Sequence, residues 1–286
     1  MIYLEPCEET LKRFEDNSID LIITSPPYNI GKMHSNRLQF GSYANNDMKE
    51  PDYQKWQIEV LNECYRVLSE NGSVFYNHKV RIKDGKAIHP MEWLLKTDFV
   101  IKQEITWDMG KSANCDKIRF FPFSERIYWL TKNPKVKLLN KNSLSDVWRL
   151  VPTHQRKDQN HIAVMPDGIV QNILDAIPTK PNVVYDPFGG SGTTMKVCKQ
   201  NGIDCIISEI DKEKENTILE KAGEKRKEKE LTLMPYGSHN GIVICCKNCG
   251  SEFEETAEGY YPPIKYESDK HNRECRRCLT ELVRIN

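Results

Sequence analysis

The chain has 286 residues and lacks any apolar run near the roughly 18 residues that a membrane helix needs. Its opening, MIYLEPCEETLKRF, has no basic stretch followed by an apolar one, so no secretory leader is expected. Both absences point to a soluble protein of the cytoplasm. An excess of one charge is missing too, since 41 basic side chains face 41 acidic ones. That balance excludes a uniformly basic nucleic-acid coat and is compatible with a local basic groove. There is no internal repeat and no low-complexity tract, which excludes solenoids and propellers. What is present is a hydrophobic fraction of 38% with 9% aromatic side chains, enough to bury a sizeable core and to rule out wholesale disorder. The length fits one large domain, or a medium domain with a small module.

Cysteine is sparse in most of the chain and crowded at one end. Cys7, Cys64, Cys115, Cys198 and Cys205 are scattered, and in a reducing compartment they are expected to be free, mostly buried thiols. Cys245, Cys246, Cys249, Cys275 and Cys278 fall within the last 42 residues.

Ile19–Thr24 (IDLIIT) is a continuous apolar run, as in a strand buried on both faces. It stops at Ser25-Pro26-Pro27-Tyr28-Asn29, where two prolines cannot continue a central strand. Residues 31–50 are polar and poorly periodic, so a mobile loop is expected. Trp56, Val60, Leu61, Cys64, Val67 and Leu68 recur at helical spacing, which predicts a helix over 53–68 that Asn71-Gly72 stops. Strands are expected at SVFYN, VIKQEITW, ERIYWLTK, VVYD and DCIISEID, and helices at HPMEWLLKT, GIVQNILDAI and TMKVCKQNG. Residues 131–160 read as irregular and locally basic, with Lys/Arg at 132, 135, 137, 141, 149, 156 and 157 against Asp146 and Asp158. The mixed charges of 212–230 read as a solvated helix face. Alternating strands and helices imply an α/β, doubly wound, mostly parallel sheet.

Asp186-Pro187-Phe188-Gly189-Gly190-Ser191-Gly192-Thr193-Thr194 follows a buried strand and opens a helix. Glycines there admit close approach of a ligand, and the helix start offers free N–H groups. No Lys follows the last glycine, so a phosphate-gripping P-loop is not expected, and the GxGxxG dinucleotide fingerprint is absent. Glu209 ends the next strand, 23 residues after Asp186, where a carboxylate meets ribose hydroxyls in dinucleotide folds. The pattern suggests a nucleoside-bearing ligand with a small anionic end. An ordinary strand-to-helix turn is the plainer alternative.

The Ser25–Tyr28 turn stands at the carboxyl end of a strand, where open α/β sheets place their ligands. Its prolines fix the backbone and leave carbonyls without competing N–H donors. Ser25 adds a hydroxyl and Tyr28 a flat face for stacking. These suit a planar heterocycle. A rigid Pro-Pro turn with a capping tyrosine is the alternative reading.

TSPPYN with DPFGGSGTT resembles the amino-methyltransferases of DNA that use S-adenosylmethionine, and the order, catalytic motif first, resembles their beta group. The resemblance covers roughly residues 1–212. Arg66-Val67-Leu68 with Gly72-Ser73-Val74-Phe75 resembles the family's central helix–strand step, and Asn160–Pro166 (NHIAVMP) resembles its HPAxFP segment, with Ile162 in place of Pro. The family's N-terminal Gly-Asp, an adenine contact, is replaced by Glu5-Pro6. The resemblance implies a Rossmann-like methyltransferase fold. It implies that Ser25, Pro26, Pro27 and Tyr28 grip a base flipped out of double-stranded DNA. It further implies that Asp186, Phe188, Gly189, Gly190, Ser191, Gly192 and Thr193 lie along the cofactor, and that Glu209 holds its ribose. Family members with Ser before the prolines are mostly cytosine-N4 enzymes and those with Asp mostly adenine-N6 enzymes, so Ser25 favours cytosine. Residues 131–160 lie where this group carries its target-recognition segment, and His34, Asn36 and Arg37 are candidate DNA contacts. A cognate restriction endonuclease is a candidate partner, and a monomer and a homodimer are both compatible.

Cys246-x-x-Cys249 and Cys275-x-x-Cys278, separated by 25 residues, form two knuckles suited to one tetrahedral zinc ion. A methyltransferase domain over 1–233 and a zinc-ribbon-like module over 242–286 are therefore expected. Cys245 reads as a spare. Four thiolates close the coordination shell, so the zinc is expected to be structural. Arg273, Arg276 and Arg277 around the second knuckle fit DNA contact or simple solvation equally. A different class also fits the tail alone, a non-catalytic zinc-containing DNA-binding protein. The intact SPPY and GGSGTT segments speak against it.

Overall fold

The structure, a computed structural model, describes residues 1–30, 47–110, 119–151 and 164–224, and beyond them the backbone of five strands between Ile242 and Arg284. It divides into two units, Met1–Lys225 and Arg226–Asn286.

In chain order the first unit has β1 (Ile2–Tyr3), α1 (Cys7–Leu11), β2 (Ile19–Thr24), α2 (Glu50–Val67), β3 (Leu68–His78), β4 (Arg81–Lys83), β5 (Lys86–Ile88), α3 (Met91–Leu94), β6 (Val100–Asp108), β7 (Ser124–Thr131) and β8 (Val147–Arg149). It continues through α4 (Asp167–Ala176), β9 (Val183–Asp186), α5 (Thr193–Gln200), β10 (Asp204–Ser208), a 3-10 turn (Lys212–Lys214) and α6 (Glu215–Lys221). Eight strands form one sheet in the order β1-β10-β9-β2-β3-β7-β6-β8. Every pairing is parallel except those of β7, the one reversed strand. β4 and β5 make a separate hairpin.

Period-2 alternation sends successive side chains to opposite faces, and both faces are covered. Leu21, Ile23 and Phe75 join one core with Val170, Ile173 and Val197 of α4 and α5. Ile22, Val74 and Tyr76 join the other with Val60, Leu61 and Trp93 of α2 and α3. The sheet is thus wound on both sides. The chain turns one way from β2 to β3 and the other way from β9 to β10. The crevice between the carboxyl ends of β2 and β9 is therefore the switch point where such sheets bind ligands.

Three details depart from the sequence reading. β1 pairs only two residues, Ile2 and Tyr3, with β10, too short a run to carry a periodic signal. β8 lies inside the segment expected to be irregular, with Val147, Trp148 and Arg149 opposite Thr106, Trp107 and Asp108. Asn71-Gly72 does not end α2 as a turn but lies within β3, which begins directly at Leu68, buried and opposite Ile19. A Cβ at Gly72 would stand 2.8 Å from the Asp20 carbonyl oxygen, so the glycine serves close strand approach. Cys7, Cys64, Cys198 and Cys205 are free and buried as expected, and Cys115 lies outside the described residues.

The second unit has β11 (Ile242–Cys246), β12 (Glu252–Thr256), β13 (Gly259–Tyr261), β14 (Glu274–Cys275) and β15 (Thr280–Arg284) in the antiparallel order β13-β12-β11-β15-β14. Cys246 stands opposite Leu282 and Cys275 opposite Thr280. β11 and β14 therefore flank β15, run the same way and leave from the same end of the sheet. Cys249 and Cys278, like the side chains of Cys246 and Cys275, lie outside the described residues. Among the described residues no cluster of three or more His, Cys, Asp or Glu is placed to hold a metal.

Candidate active site

A cavity of about 270 Å³ opens at the carboxyl ends of β2, β3, β9 and β10. Ser25, Pro26, Pro27 and Tyr28 form one wall. Asp186, Phe188, Gly189, Gly190, Ser191 and Thr193 form another, and Glu209 closes it beside them. Segments 160 residues apart in the chain thus share one space because β2 and β9 are neighbours in the sheet. Among the site residues expected in this unit, only Gly192 is not on the cavity wall, although it shapes the turn.

The two walls are joined at their base. Thr24 Oγ1 donates to Asp186 Oδ1 at 2.9 Å, the Phe188 amide donates to the same oxygen at 3.1 Å, and Thr194 Oγ1 donates to Oδ2 at 2.7 Å. Asp186 thus ties β2, β9 and α5 together. Burial pushes its carboxyl up to about 6, against the pull of these three donors. Gly192 takes a φ of +80°, and a Cβ there would stand 2.9 Å from Ile218 Cγ2, so the turn needs glycine on two counts. The Gly189 amide donates to the Ser208 carbonyl at 2.8 Å and holds the turn against β10. Lys221 Nζ donates to Ser191 Oγ at 2.6 Å. Glu209 is buried, and its Oε1 accepts from the Asp211 amide at 2.9 Å and from Lys214 Nζ at 3.2 Å.

The Ser25 turn is braced from below. Tyr53 Oη donates to the Pro27 carbonyl at 2.7 Å. The Tyr28 ring packs 4.7 Å from His78, whose buried imidazole titrates well below its ordinary value, so it is neutral there. Ser25 Oγ and Tyr28 Oη are 2.8 Å apart, and Tyr28 Oη donates to Glu125 Oε2 at 2.8 Å. Asn77 Nδ2 lies 2.7 Å from Tyr28 Oη, 3.1 Å from Glu125 Oε2 and 3.3 Å from Ser25 Oγ. Burial first, and the Glu125 charge second, hold the Tyr28 phenol far above its usual range, so it stays a donor.

Sequence reasoning missed Asn77 and Glu125. Asn77 sits in the SVFYN strand with no motif around it. Glu125 is the second residue of β7, and only the strand reversal brings the start of a strand to this end of the sheet. Glu5, which with Pro6 replaces the family's Gly-Asp, does reach the cavity wall, where Arg13 Nε and Nη2 grip it at 2.8 and 2.9 Å and hold its carboxyl below the usual range. Val164 and Met165 of the NHIAVMP segment also line the cavity, while Asn160–Ala163 lie outside the described residues.

Of the basic segment 131–160, the described residues 131–151 do not all reach this end. Lys132 Nζ donates to Asn17 Oδ1 at 2.7 Å and to the Arg66 carbonyl at 3.3 Å, residues that precede β2 and β3. The Leu139 amide bonds the Ala176 carbonyl ahead of β9. The first part of the segment thus runs along the amino end of the sheet. The chain returns to the cavity end only at β8, where exposed Arg149 bonds Asp108 at 2.8 Å. Arg156, Lys157, His34, Asn36 and Arg37 lie outside the described residues.

Comparison with known proteins agrees with this geometry. Residues 19–220 match a family model described as DNA methylase, of N6/N4 type. The type II methyltransferase M.BglII of Bacillus subtilis is 28% identical over 268 residues, covering 80% of this chain and 71% of its own. The DNA adenine methyltransferase YhdJ of Escherichia coli (strain K12) is 25% identical over 234 residues, covering 71% and 76%. The solved PvuII DNA methyltransferase (cytosine-N4-specific) superposes with a TM-score of 0.64 at 17% identity, covering 81% of this chain and 87% of that one, which is a likeness of fold. With a match over most of its length and both motifs on one cavity, the chain belongs to the N6/N4 DNA methylase family.

Proposed function

We propose that the protein transfers a methyl group from S-adenosylmethionine to the exocyclic N4 of cytosine at a specific site in double-stranded DNA, as the modification half of a restriction system or alone. The carrying observation is that the Ser25–Tyr28 turn and the Gly189–Thr193 turn line the same cavity. Ser25, rather than Asp, before the prolines supports cytosine.

S-Adenosylmethionine, when bound, supplies a sulfonium methyl as the electrophile. The residues present fit it: a buried acid, Glu209, on the wall beside a glycine turn whose backbone is pinned to β10. Glu209 would hold the ribose, and Phe188 with Gly189, Gly190, Ser191 and Thr193 would lie along the rest. Asp186 acts differently, because its carboxylate is taken up by Thr24, Thr194 and the Phe188 amide, and it shapes the site from behind.

An exocyclic amine is a poor nucleophile because its lone pair conjugates into the ring. Accepting its N–H bonds at Ser25 Oγ and the Pro26 carbonyl localises that pair and aims it, which is orientation and electrostatic placement rather than covalent catalysis. The base must first leave the helix, and the Tyr28 ring would then stack on it. DNA contact by 131–160 would fall on its later part, around Arg149.

Adenine-N6 is the second reading, favoured by the likeness to YhdJ. For the tail we propose structural zinc on Cys246, Cys249, Cys275 and Cys278, supported by the pair of CxxC spacings and by β11 and β14, which end in Cys246 and Cys275 at the same end of the small sheet.

The test is to incubate the protein with mixed-sequence DNA and methyl-labelled S-adenosylmethionine and to identify the product nucleoside by mass spectrometry. N4-methylcytosine is expected. N6-methyladenine would overturn the base assignment alone. No product, with no cofactor binding by calorimetry, would overturn the enzyme and leave a zinc-containing DNA-binding protein.

A further inference from the structure

The chain of hydroxyls behind the cavity has a direction, and one buried carboxylate sets it. Glu125 is 6% exposed and lines the cavity from β7. Two donors, Tyr28 Oη at 2.8 Å and Asn77 Nδ2 at 3.1 Å, converge on its Oε2. An ionised carboxylate only accepts hydrogen bonds, and two donors on one oxygen leave that oxygen no proton to give. Tyr28 therefore commits its single proton to Glu125. The 2.8 Å contact between Ser25 Oγ and Tyr28 Oη must then be made by the serine proton. With that proton turned inward, Ser25 Oγ can offer only lone pairs to the cavity. One of them is loosely shared with Asn77 at 3.3 Å, and the other is open to a ligand.

We propose that Glu125 is a positioning residue that fixes Ser25 as an acceptor, so that the site takes a base presenting an amine and rejects one presenting a carbonyl at the same place. The proposal rests on the methyltransferase reading of the cavity and adds the discrimination it needs. A carbonyl oxygen facing Ser25 would meet a second acceptor with no proton between them, and a buried polar group left unpaired in this way costs binding heavily. Asn77 reinforces the direction, since its amide nitrogen faces three oxygens.

The substitution that reverses the direction is Glu125→Gln. Its amide can donate to Tyr28, which then donates to Ser25, which then turns its proton into the cavity. Glu125→Asp shortens the side chain but stays an acceptor. The recognition sequence is first read from the methylated positions in DNA of a host expressing the full chain. Duplexes are then made with the target position opposite an abasic site, so that unpairing costs the same throughout. They carry either the amine base or its carbonyl counterpart: cytosine or uracil, or adenine or hypoxanthine if adenine is the target. Binding is measured without methyl donor by fluorescence anisotropy.

The readout is the ratio of the two affinities and its change on substitution. The parent is expected to prefer the amine duplex, Glu125→Gln to lower that preference by about tenfold or invert it, and Glu125→Asp to keep it. Tyr28→Phe, which cuts the chain at the ring, is expected to lower it as well. An unchanged ratio in both Glu125→Gln and Tyr28→Phe overturns the proposal, as does an equal fall in Glu125→Gln and Glu125→Asp, which would mark a merely structural role. Failure of the methyltransferase reading shows separately, as a parent protein that binds no S-adenosylmethionine.

Discussion

Thr24 and Asp186 meet at 2.9 Å across the switch point of the sheet, and this bond joins the strand that carries one motif to the strand that carries the other. Because Asp186 is buried among neutral donors, its acid form is favoured over its charged form up to about pH 6. An unfolded aspartate titrates near 3.9. The stabilisation from protonating it in the fold is therefore complete below that value and is lost as pH rises through 6. Relative to Asp186→Asn, the parent should gain about 1.4 kcal/mol of unfolding free energy per pH unit as pH falls from 6 towards 4. Denaturant unfolding at a series of pH values checks this, and a flat difference curve would contradict it.

Ser25→Ala removes the hydroxyl proposed to accept from the target amine but nothing on the Glu209 side of the cavity. Methyl transfer should fall by at least about 100-fold, with S-adenosylmethionine affinity by calorimetry unchanged. Turnover near the parent level would remove Ser25 from its assigned role.

Gly192→Ala puts a methyl group into Ile218 at a positive φ. The expected cost is about 1–3 kcal/mol of stability, with weakened cofactor binding because the turn must shift. Thermal melting with and without cofactor separates the two effects.

Lys132 is basic but serves the amino end of the sheet, on Asn17 and the Arg66 carbonyl. Lys132→Ala should cost under about 1 kcal/mol of stability and leave the salt dependence of DNA binding unchanged. Arg149→Ala should weaken DNA binding and flatten that dependence by about one ion. A Lys132 effect on the slope would place DNA at the other end of the sheet.

Cys249→Ser should take the full chain from about one bound zinc ion to none, read by elemental analysis, and loosen the C-terminal unit to proteolysis. Unchanged metal content would reject the four-cysteine set.

The parts of the fold legible in the sequence were those with strong local signals. Ile19–Thr24 reads as a strand because Leu21, Ile22 and Ile23 make a short apolar run beside Ile19, and it is one. The glycine turn reads as a ligand site because its backbone demands are written in residue type. Gly72 shows the opposite case: it looks like a helix stop and is instead a contact between strands, which no local pattern encodes. Asn77 and Glu125 were hidden for the same reason, because their meeting depends on how β3 and β7 pair. Charge along a sequence does not say which end of a sheet it reaches, so the separate places of Lys132 and Arg149 could not be read from the segment 131–160.

The reversal of β7 has a consequence for how this protein can change over generations. In a sheet of parallel strands, the connections at the carboxyl ends carry the ligand site and can vary while the core is kept. Here β6 ends and β7 begins at the cavity end, with Trp107 opposite Glu125 and Asp108 opposite Ser124. The stretch between them, where Phe120 and Phe121 stand exposed, can be lengthened, shortened or exchanged while the hairpin beneath it keeps its register. The chain beside Trp107 and Glu125 on the cavity wall can thus be rewritten while the strands beneath it stay fixed.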